Sequence, residues 1–327
     1  MLVVVCPGQG AQSPGMLAPW LELPGLSGRL AGYSDVVGQD LAGHGTTSDA
    51  ETIRDTAVAQ PLLVASALLT FHAVFDPADD GGPASPAGVD AVAGHSVGEL
   101  GAAAIAGVLT EREALDLVAV RGAAMARAAA VTPTGMSALL GGDPAEVLAR
   151  LAELGLTASN VNGAGQVVAG GTLDALAALA QDPPARTRVI ALQVAGAFHT
   201  THMAPAVAEL ASRATTIEPA DPTITLLSNA DGAAVTSGTQ ALARLVAQVA
   251  NPVRWDLCQQ TLQELGVTGL LELAPAGVLA GLARRTLPGV ETVAVKTPAD
   301  LDAARELVRR HGGSTQSRST DSQEILS

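Results

Sequence analysis

The residues Gly94-His95-Ser96-Val97-Gly98 set a serine between two glycines at the spacing G-x-S-x-G. Before them runs the apolar stretch Val89 to Ala93, and after them the alanine-rich stretch Val97 to Val108. A strand that turns sharply into a helix around such a serine is a nucleophile elbow. The glycines remove the Cβ atoms that would block the turn, which lifts the hydroxyl above the sheet. The helix start then directs free amides and a positive dipole end at any oxyanion that develops. The competing reading is a structural glycine turn without chemistry.

A serine hydroxyl becomes a useful nucleophile only when a base takes its proton. Six histidines could serve: His44, His72, His95, His199, His202 and His311. His44 falls in a glycine-rich loop, His72 within an apolar helical run, and His311 close to the tail. His95 sits on the elbow itself and is poorly placed to point back at Ser96. His199 follows the expected strand Arg188 to Val194 through Ala195-Gly196-Ala197-Phe198, a strand exit of the kind where α/β enzymes place catalytic groups. His202 already enters the next helix. The two could instead ligate a metal, but no third His or carboxylate shares a ligand spacing and H-E-x-x-H is absent, so no metal site is expected.

These groups need a frame. Leu2 to Cys6 reads as a buried parallel strand entering the turn Pro7-Gly8-Gln9-Gly10, and Val89 to Ala93 as a second. Gln60 to Phe75 has helical spacing and leads into a Pro, Gly and Asp loop over Asp76 to Gly88. Thr110 with Glu113 is a capping box that opens a helix to about Ala130. After Thr132-Pro133-Thr134-Gly135 the pattern changes. Met136 to Leu140 reads as a strand, Asp143 to Leu154 as a helix, Thr157 to Val161 and Gln166 to Ala169 as strands, Thr172 to Ala180 as a helix, and Arg188 to Val194 as a strand. That order is βαββαβ, the split pattern of ferredoxin-like domains. Ile224 to Ser228 and Gly269 to Leu273 then resume the α/β pattern.

The expected fold is therefore α/β: an α/β-hydrolase-like body with a parallel sheet, over residues 1–131 and 196–311, carrying a ferredoxin-like insertion over 132–195. A ligand cleft is expected between the two. Residues 312–327, rich in Ser, Thr and Gln, read as a disordered tail.

Composition narrows the class. With 48% hydrophobic residues, 327 residues can bury a large core. No apolar run is expected to reach the roughly 18 residues that span a bilayer, and the N-terminus lacks a signal-peptide pattern, which points to the cytoplasm. Cys6 and Cys258 each fall in an apolar run and read as core thiols. The net charge of −14 argues against nucleic-acid binding, which needs a basic face. Any anionic ligand must therefore meet locally concentrated cations, with Arg254, Arg284, Arg285 and Lys296 as candidates beside the alternative of solvated helix faces.

Pro7-Gly8-Gln9-Gly10-Ala11-Gln12, Gly94-His95-Ser96-Val97-Gly98-Glu99, Arg121-Gly122, Gly196-Ala197-Phe198-His199-Thr200 and Asn251-Pro252-Val253-Arg254-Trp255 occur in register along the chain. Together they resemble the malonyl-CoA:acyl carrier protein transacylases of fatty-acid synthesis, from Leu2 to about Leu307. The resemblance implies that Ser96 takes the malonyl group, that His199 is its base, and that the amides of Gln9 and Val97 form the oxyanion hole. It assigns Arg121 to the free carboxylate of malonate, and the main-chain carbonyl of Gln248, assisted by Asn251, to orienting His199. An internal salt bridge is the alternative for Arg121, whose helix is otherwise rich in Ala, Val and Gly. A hydrolase-type triad would instead need Asp174 or Asp182, both in or just after the insertion's second helix.

Asn160, Asn162 and Gln166 match family positions facing the acyl and pantetheine cleft, with turn chemistry as the other reading. Phe198 and Val97 match malonyl rather than methylmalonyl enzymes, since a bulky Phe198 fills the space of an α-methyl group. The implied substrates are malonyl-CoA and a phosphopantetheinylated acyl carrier protein, serving fatty-acid or polyketide synthesis. No cofactor and a monomer are expected. A serine hydrolase sharing the elbow and a non-catalytic carrier-binding protein are the rival functions.

Overall fold

The computed structural model describes residues 1–76 and 85–313. The expected tail, from residue 314 onward, and part of the loop expected after Phe75 lie outside the described residues. The strands are β1 (Leu2–Cys6), β2 (Ala91–Gly94), β3 (Thr134–Gly141), β4 (Thr157–Gly163), β5 (Gln166–Thr172), β6 (Thr187–Ala191), β7 (Thr225–Leu227), β8 (Ala234–Val235), β9 (Val253–Arg254), β10 (Gly269–Glu272) and β11 (Glu291–Ala294).

They form two sheets, in the orders β11-β10-β1-β2-β7-β8 and β6-β3-β5-β4-β9. The first is parallel from β11 through β7, and β8 returns antiparallel on β7. Strand β1 lies inside it, and all five of its residues are buried. A two-residue side-chain period splits that strand between two cores. Leu2, Val4 and Cys6 join the core on one face, and Val3 and Val5 join the core on the other. This explains the unbroken Val run: a parallel strand covered on both faces has no polar side.

The first face is covered by helices Thr56–Phe75 and Glu111–Val131. The latter starts at the capping box read from Thr110 and Glu113. Helix Thr56–Phe75 begins four residues before the expected Gln60, because Asp55 accepts from Ala57 N–H and caps it. It also corrects one expectation: its 20 residues are long and apolar enough to cross a membrane by composition. Here they are almost wholly buried as a core helix.

In the second sheet β3 pairs antiparallel with β5 and β6, and β5 with β4. Helices Pro144–Glu153 and Leu173–Gln181 cover one face, where Leu139, Val147, Leu151, Ala169, Leu176 and Leu179 close a small core. The other face presents Met136 and Val168 toward the first sheet. Two differences from the sequence reading stand out. Strand β6 ends at Ala191, so Leu192 to Val194 leave the sheet and line the cleft. Strand β9, from beyond residue 196, adds to β4 in parallel as a fifth strand.

Candidate active site

The elbow forms because Gly94 and Gly98 allow strand and helix to touch. A Cβ on Gly94 would lie 2.1 Å from the Gly98 carbonyl carbon, and one on Gly98 would lie 2.2 Å from the Cys6 carbonyl oxygen. Ser96 sits at the turn with φ 54°, a left-handed conformation that a non-glycine residue adopts only when its surroundings hold it there. Those surroundings include Asn229, whose Oδ1 accepts from Ser96 N–H at 2.8 Å while its Nδ2 donates to Gly94 O at 2.8 Å.

His199, also left-handed at φ 60°, leaves a loop tied to the start of β3, since Ala197 N–H donates to Thr134 Oγ1 at 3.0 Å. Its Nε2 lies 2.7 Å from Ser96 Oγ, and its Nδ1 lies 2.8 Å from the Gln248 main-chain oxygen. The second contact makes Nδ1 the protonated nitrogen and leaves Nε2 free to accept the serine proton. Burial, and then the Arg121 charge, push His199 down to about 3, with the Gln248 carbonyl pulling the other way.

Arg121 projects from helix Glu111–Val131 and is 2% exposed. Its Nη1 donates to Gln60 Oε1 at 2.5 Å, and its Nη2 to Gln248 Oε1 at 2.9 Å and to Ser96 Oγ at 3.4 Å. Among the described residues no carboxylate lies within ion-pair distance of it. Two neutral amides therefore hold a cation beside the serine, with N–H groups to spare for a bound anion. Burial lowers Arg121 to about 10, leaving it charged at neutral pH. Glu99, one helical turn beyond the serine, is pushed up to about 8 by burial, against the pull of Asn229 N–H and of Arg121.

A cleft of about 470 Å³ opens over Ser96 between the two sheets. Gln9, Val97, Asn160, Asn162, Gln166 and Phe198 line it together with Ser96 and His199. The backbone N–H groups of Gln9 and Val97 meet no acceptor among the described residues, and both stand in the turns that follow the central strands β1 and β2. Asn162 Oδ1 lies 2.9 Å from His95 Nε2, which joins the second sheet to the elbow. Burial lowers the His95 pKa, against the pull of the Asn162 hydrogen bond.

Other candidates fall elsewhere. The Asn251 side chain is exposed and donates to Ala247 O at 2.7 Å, so it does not reach His199; its main chain favours the charged imidazole instead. Asp182 pairs with Arg150 on the surface at 2.8 Å, and neither it nor Asp174 lines the cleft. His44 lies against Ser48, His72 against Glu111, and His311 against Thr268 and Glu291. Both cysteines are buried free thiols. Arg254 is spent on Asp256 at 2.8 Å, whereas Arg284, Arg285 and Lys296 are exposed.

Asn229, Gln60 and Glu99 were not singled out from sequence. Asn229 had a signal, a polar residue directly after the expected strand Ile224 to Ser228. Gln60 is a polar residue inside an apolar helix, and Glu99 closes the elbow motif. No three of the described His, Cys, Asp and Glu residues gather as a metal cage.

The arrangement can deprotonate a serine, hold an oxyanion and seat a carboxylate beside it. The acyl transferase domain family matches residues 3–309. The malonyl CoA-acyl carrier protein transacylase of Mycobacterium tuberculosis is 54% identical over 308 residues, covering 94% of this chain and all of the relative. The crystal structure of MCAT from the same organism superposes with a TM-score of 0.88 at 54% identity, covering 93% of this chain and 99% of the other. A malonyl-transacylase solved with its type II PKS acyl-carrier protein superposes with a TM-score of 0.84 at 31% identity, covering 93% and 99% of the two chains.

Proposed function

Since the chain belongs to the acyl transferase family, and within it to the malonyl CoA-acyl carrier protein transacylases, we propose that it moves a malonyl group from malonyl-CoA to the phosphopantetheine thiol of an acyl carrier protein through a malonyl ester on Ser96. One observation carries the residue assignment. The Ser96 oxygen has His199 Nε2 at 2.7 Å on one side and the Arg121 guanidinium at 3.4 Å on another.

His199 takes the Ser96 proton as the oxygen attacks the thioester carbonyl. The Gln9 and Val97 amides receive the oxyanion, and the imidazolium returns its proton to the departing coenzyme A thiolate. The carrier thiol then attacks the ester by the same steps in reverse order, releasing Ser96, which makes the cycle ping-pong. Arg121 pairs its planar fork with the free carboxylate of the acyl group, which distinguishes malonyl from acetyl. Phe198 crowds the α-carbon, while Asn160, Asn162 and Gln166 line the path of the pantetheine arm. Every proton and charge in this scheme is handled by side chains and amides of the chain, so it needs no cofactor.

We read residues 1–131 and 196–311 as an α/β-hydrolase-like body and 132–195 as a ferredoxin-like insertion. The strand order β6-β3-β5-β4 supports this, because it is the order that a βαββαβ unit gives. The site is complete within one chain, which supports a monomer as the working unit. Dependence on coenzyme A thioesters supports a cytoplasmic place. The neighbour solved with a polyketide carrier keeps a carrier of either pathway open as the acceptor.

The test is intact-mass measurement after incubation with malonyl-CoA. Wild type should gain one malonyl group, Ser96→Ala none, and Arg121→Ala far less at equal substrate. A wild type that stays unmodified, or a Ser96→Ala protein that gains the mass, overturns the assignment. Release of free malonate in place of transfer to carrier would make it a hydrolase.

A further inference from the structure

Beneath the elbow lies a closed chain of hydrogen bonds that the mechanism does not use. Glu99, 4% exposed, turns its carboxyl away from the cleft. Its Oε1 accepts from Asn229 N–H at 2.5 Å and its Oε2 from Gln248 Nε2 at 2.5 Å. Both oxygens face N–H donors, which favour the carboxylate against the burial that raises its pKa, since a protonated oxygen would set its O–H against one of them. Gln248 Nε2 also faces Ser96 O at 3.2 Å and Asn229 Oδ1 at 3.2 Å. Three acceptors around one end of an amide fix that end as the NH2. The other end, Oε1, must then face Arg121, and it does so at 2.9 Å.

We propose that Glu99 is a positioning residue for malonyl recognition: it sets the direction of the Gln248 side-chain amide and thereby supplies the acceptor that holds the Arg121 guanidinium beside Ser96. This rests on the reading of Arg121 as the carboxylate-binding group. An amide that turned over would set its NH2 against Arg121, donor against donor, and the fork would swing out of place. The Ser96–His199 contact is separable, because it depends on the main-chain carbonyl of Gln248, held in the short turn Gln248–Ala250, and not on its side-chain amide. Glu99 therefore acts on which acyl group is accepted more than on whether the serine reacts.

Glu99→Gln keeps the shape but offers one acceptor where two donors wait, so either Asn229 N–H loses its acceptor or Gln248 NH2 loses its shortest one and is left with Ser96 O and Asn229 Oδ1, each at 3.2 Å. Two rates separate the roles: malonylation of Ser96 by malonyl-CoA, and labelling of Ser96 by an uncharged fluorophosphonate, which has no carboxylate for Arg121. In Glu99→Gln, malonylation efficiency should fall about tenfold to a hundredfold, chiefly through a raised KM, while labelling stays within about threefold of wild type. In an Arg121→Ala background the same change should cost malonylation less than about threefold, since the residue it acts through is gone.

Equal malonylation by Glu99→Gln and wild type overturns the proposal. So does a parallel loss of labelling and malonylation, which would make Glu99 a prop for the elbow or the fold as a whole. A full extra loss in the Arg121→Ala background overturns it too. If wild type is labelled but never malonylated, the functional reading fails before Glu99 is in question.

Discussion

The depressed basicity of His199 makes a prediction against habit. A histidine base with the usual pKa near 6.5 would be about 3% neutral at pH 5, so a rate proportional to neutral imidazole would fall about thirtyfold from its plateau. Burial and the neighbouring Arg121 put His199 at about 3, which leaves it about 99% neutral at pH 5. Labelling of Ser96 by an uncharged fluorophosphonate should therefore change less than about twofold between pH 8 and pH 5. A half-maximum near pH 6.5 would refute the reasoning. Malonylation itself should lose rate at a higher pH than labelling does, because a carboxylate on Arg121 cancels the second cause of the depression. The stability consequence has a definite sign. Protons bind the unfolded histidine below pH 6.5 but the folded one only near 3, so this contribution is fully present above 6.5. It is lost as pH falls, by up to ~1.4 kcal/mol per pH unit. Urea unfolding of wild type against His199→Gln at pH 7 and pH 5 isolates it.

Removing the guanidinium in Arg121→Ala should lower kcat/KM for malonyl-CoA about a hundredfold or more, measured by transfer to carrier, and should narrow the preference over acetyl-CoA. Shrinking Phe198, which is 7% exposed on the cleft wall, to Ala should raise the methylmalonyl-to-malonyl ratio of kcat/KM about tenfold in competition assays. Gly98→Ala must push a methyl group against the Cys6 carbonyl 2.2 Å away, where backbone meets backbone and neither yields easily. A loss of about 3 kcal/mol or more in urea unfolding is expected; a change under about 1 kcal/mol would show that the strand-to-helix contact is not tight.

The parts of the site that sequence reveals are those whose chemistry is local. Ser96 is flanked by its glycines, strand and helix within a few positions, and His199 stands just beyond a segment that reads as a strand. Asn229 is different. Its bond to Ser96 N–H joins residues 133 apart, and nothing in the run Ser228-Asn229-Ala230 says which loop it will meet. Gln60 and Gln248 close on Arg121 from 61 and 127 positions away, so the clamp exists only after packing. Asn251 illustrates the converse, since a place in a motif did not decide which carbonyl its side chain would reach. The sequence pattern carries strand β6 past its end at Ala191 for a related reason. Leu192 and Val194 flank Gln193 in the alternation of a strand yet line a cleft, and alternation alone does not separate a cleft wall from a strand. Strand β9 has two residues and no periodicity to read.

That short strand governs how the two sheets can move. By pairing Asn160 with Val253 and Val161 with Arg254, it stitches the edge of the second sheet to chain that lies just past Gln248. A lobe attached only through its two connecting segments could swing as a flap; one sewn along an edge as well resists it. Admission of a long thioester arm then falls to side-chain rearrangement at the rim, where Leu192 and Val278 stand 37% and 50% exposed, with the span of the groove held steady. Excising residues 132–195 would leave β9 with a bare edge next to the segment that steers His199, so the loss would reach the serine's partner and not only the substrate's resting place.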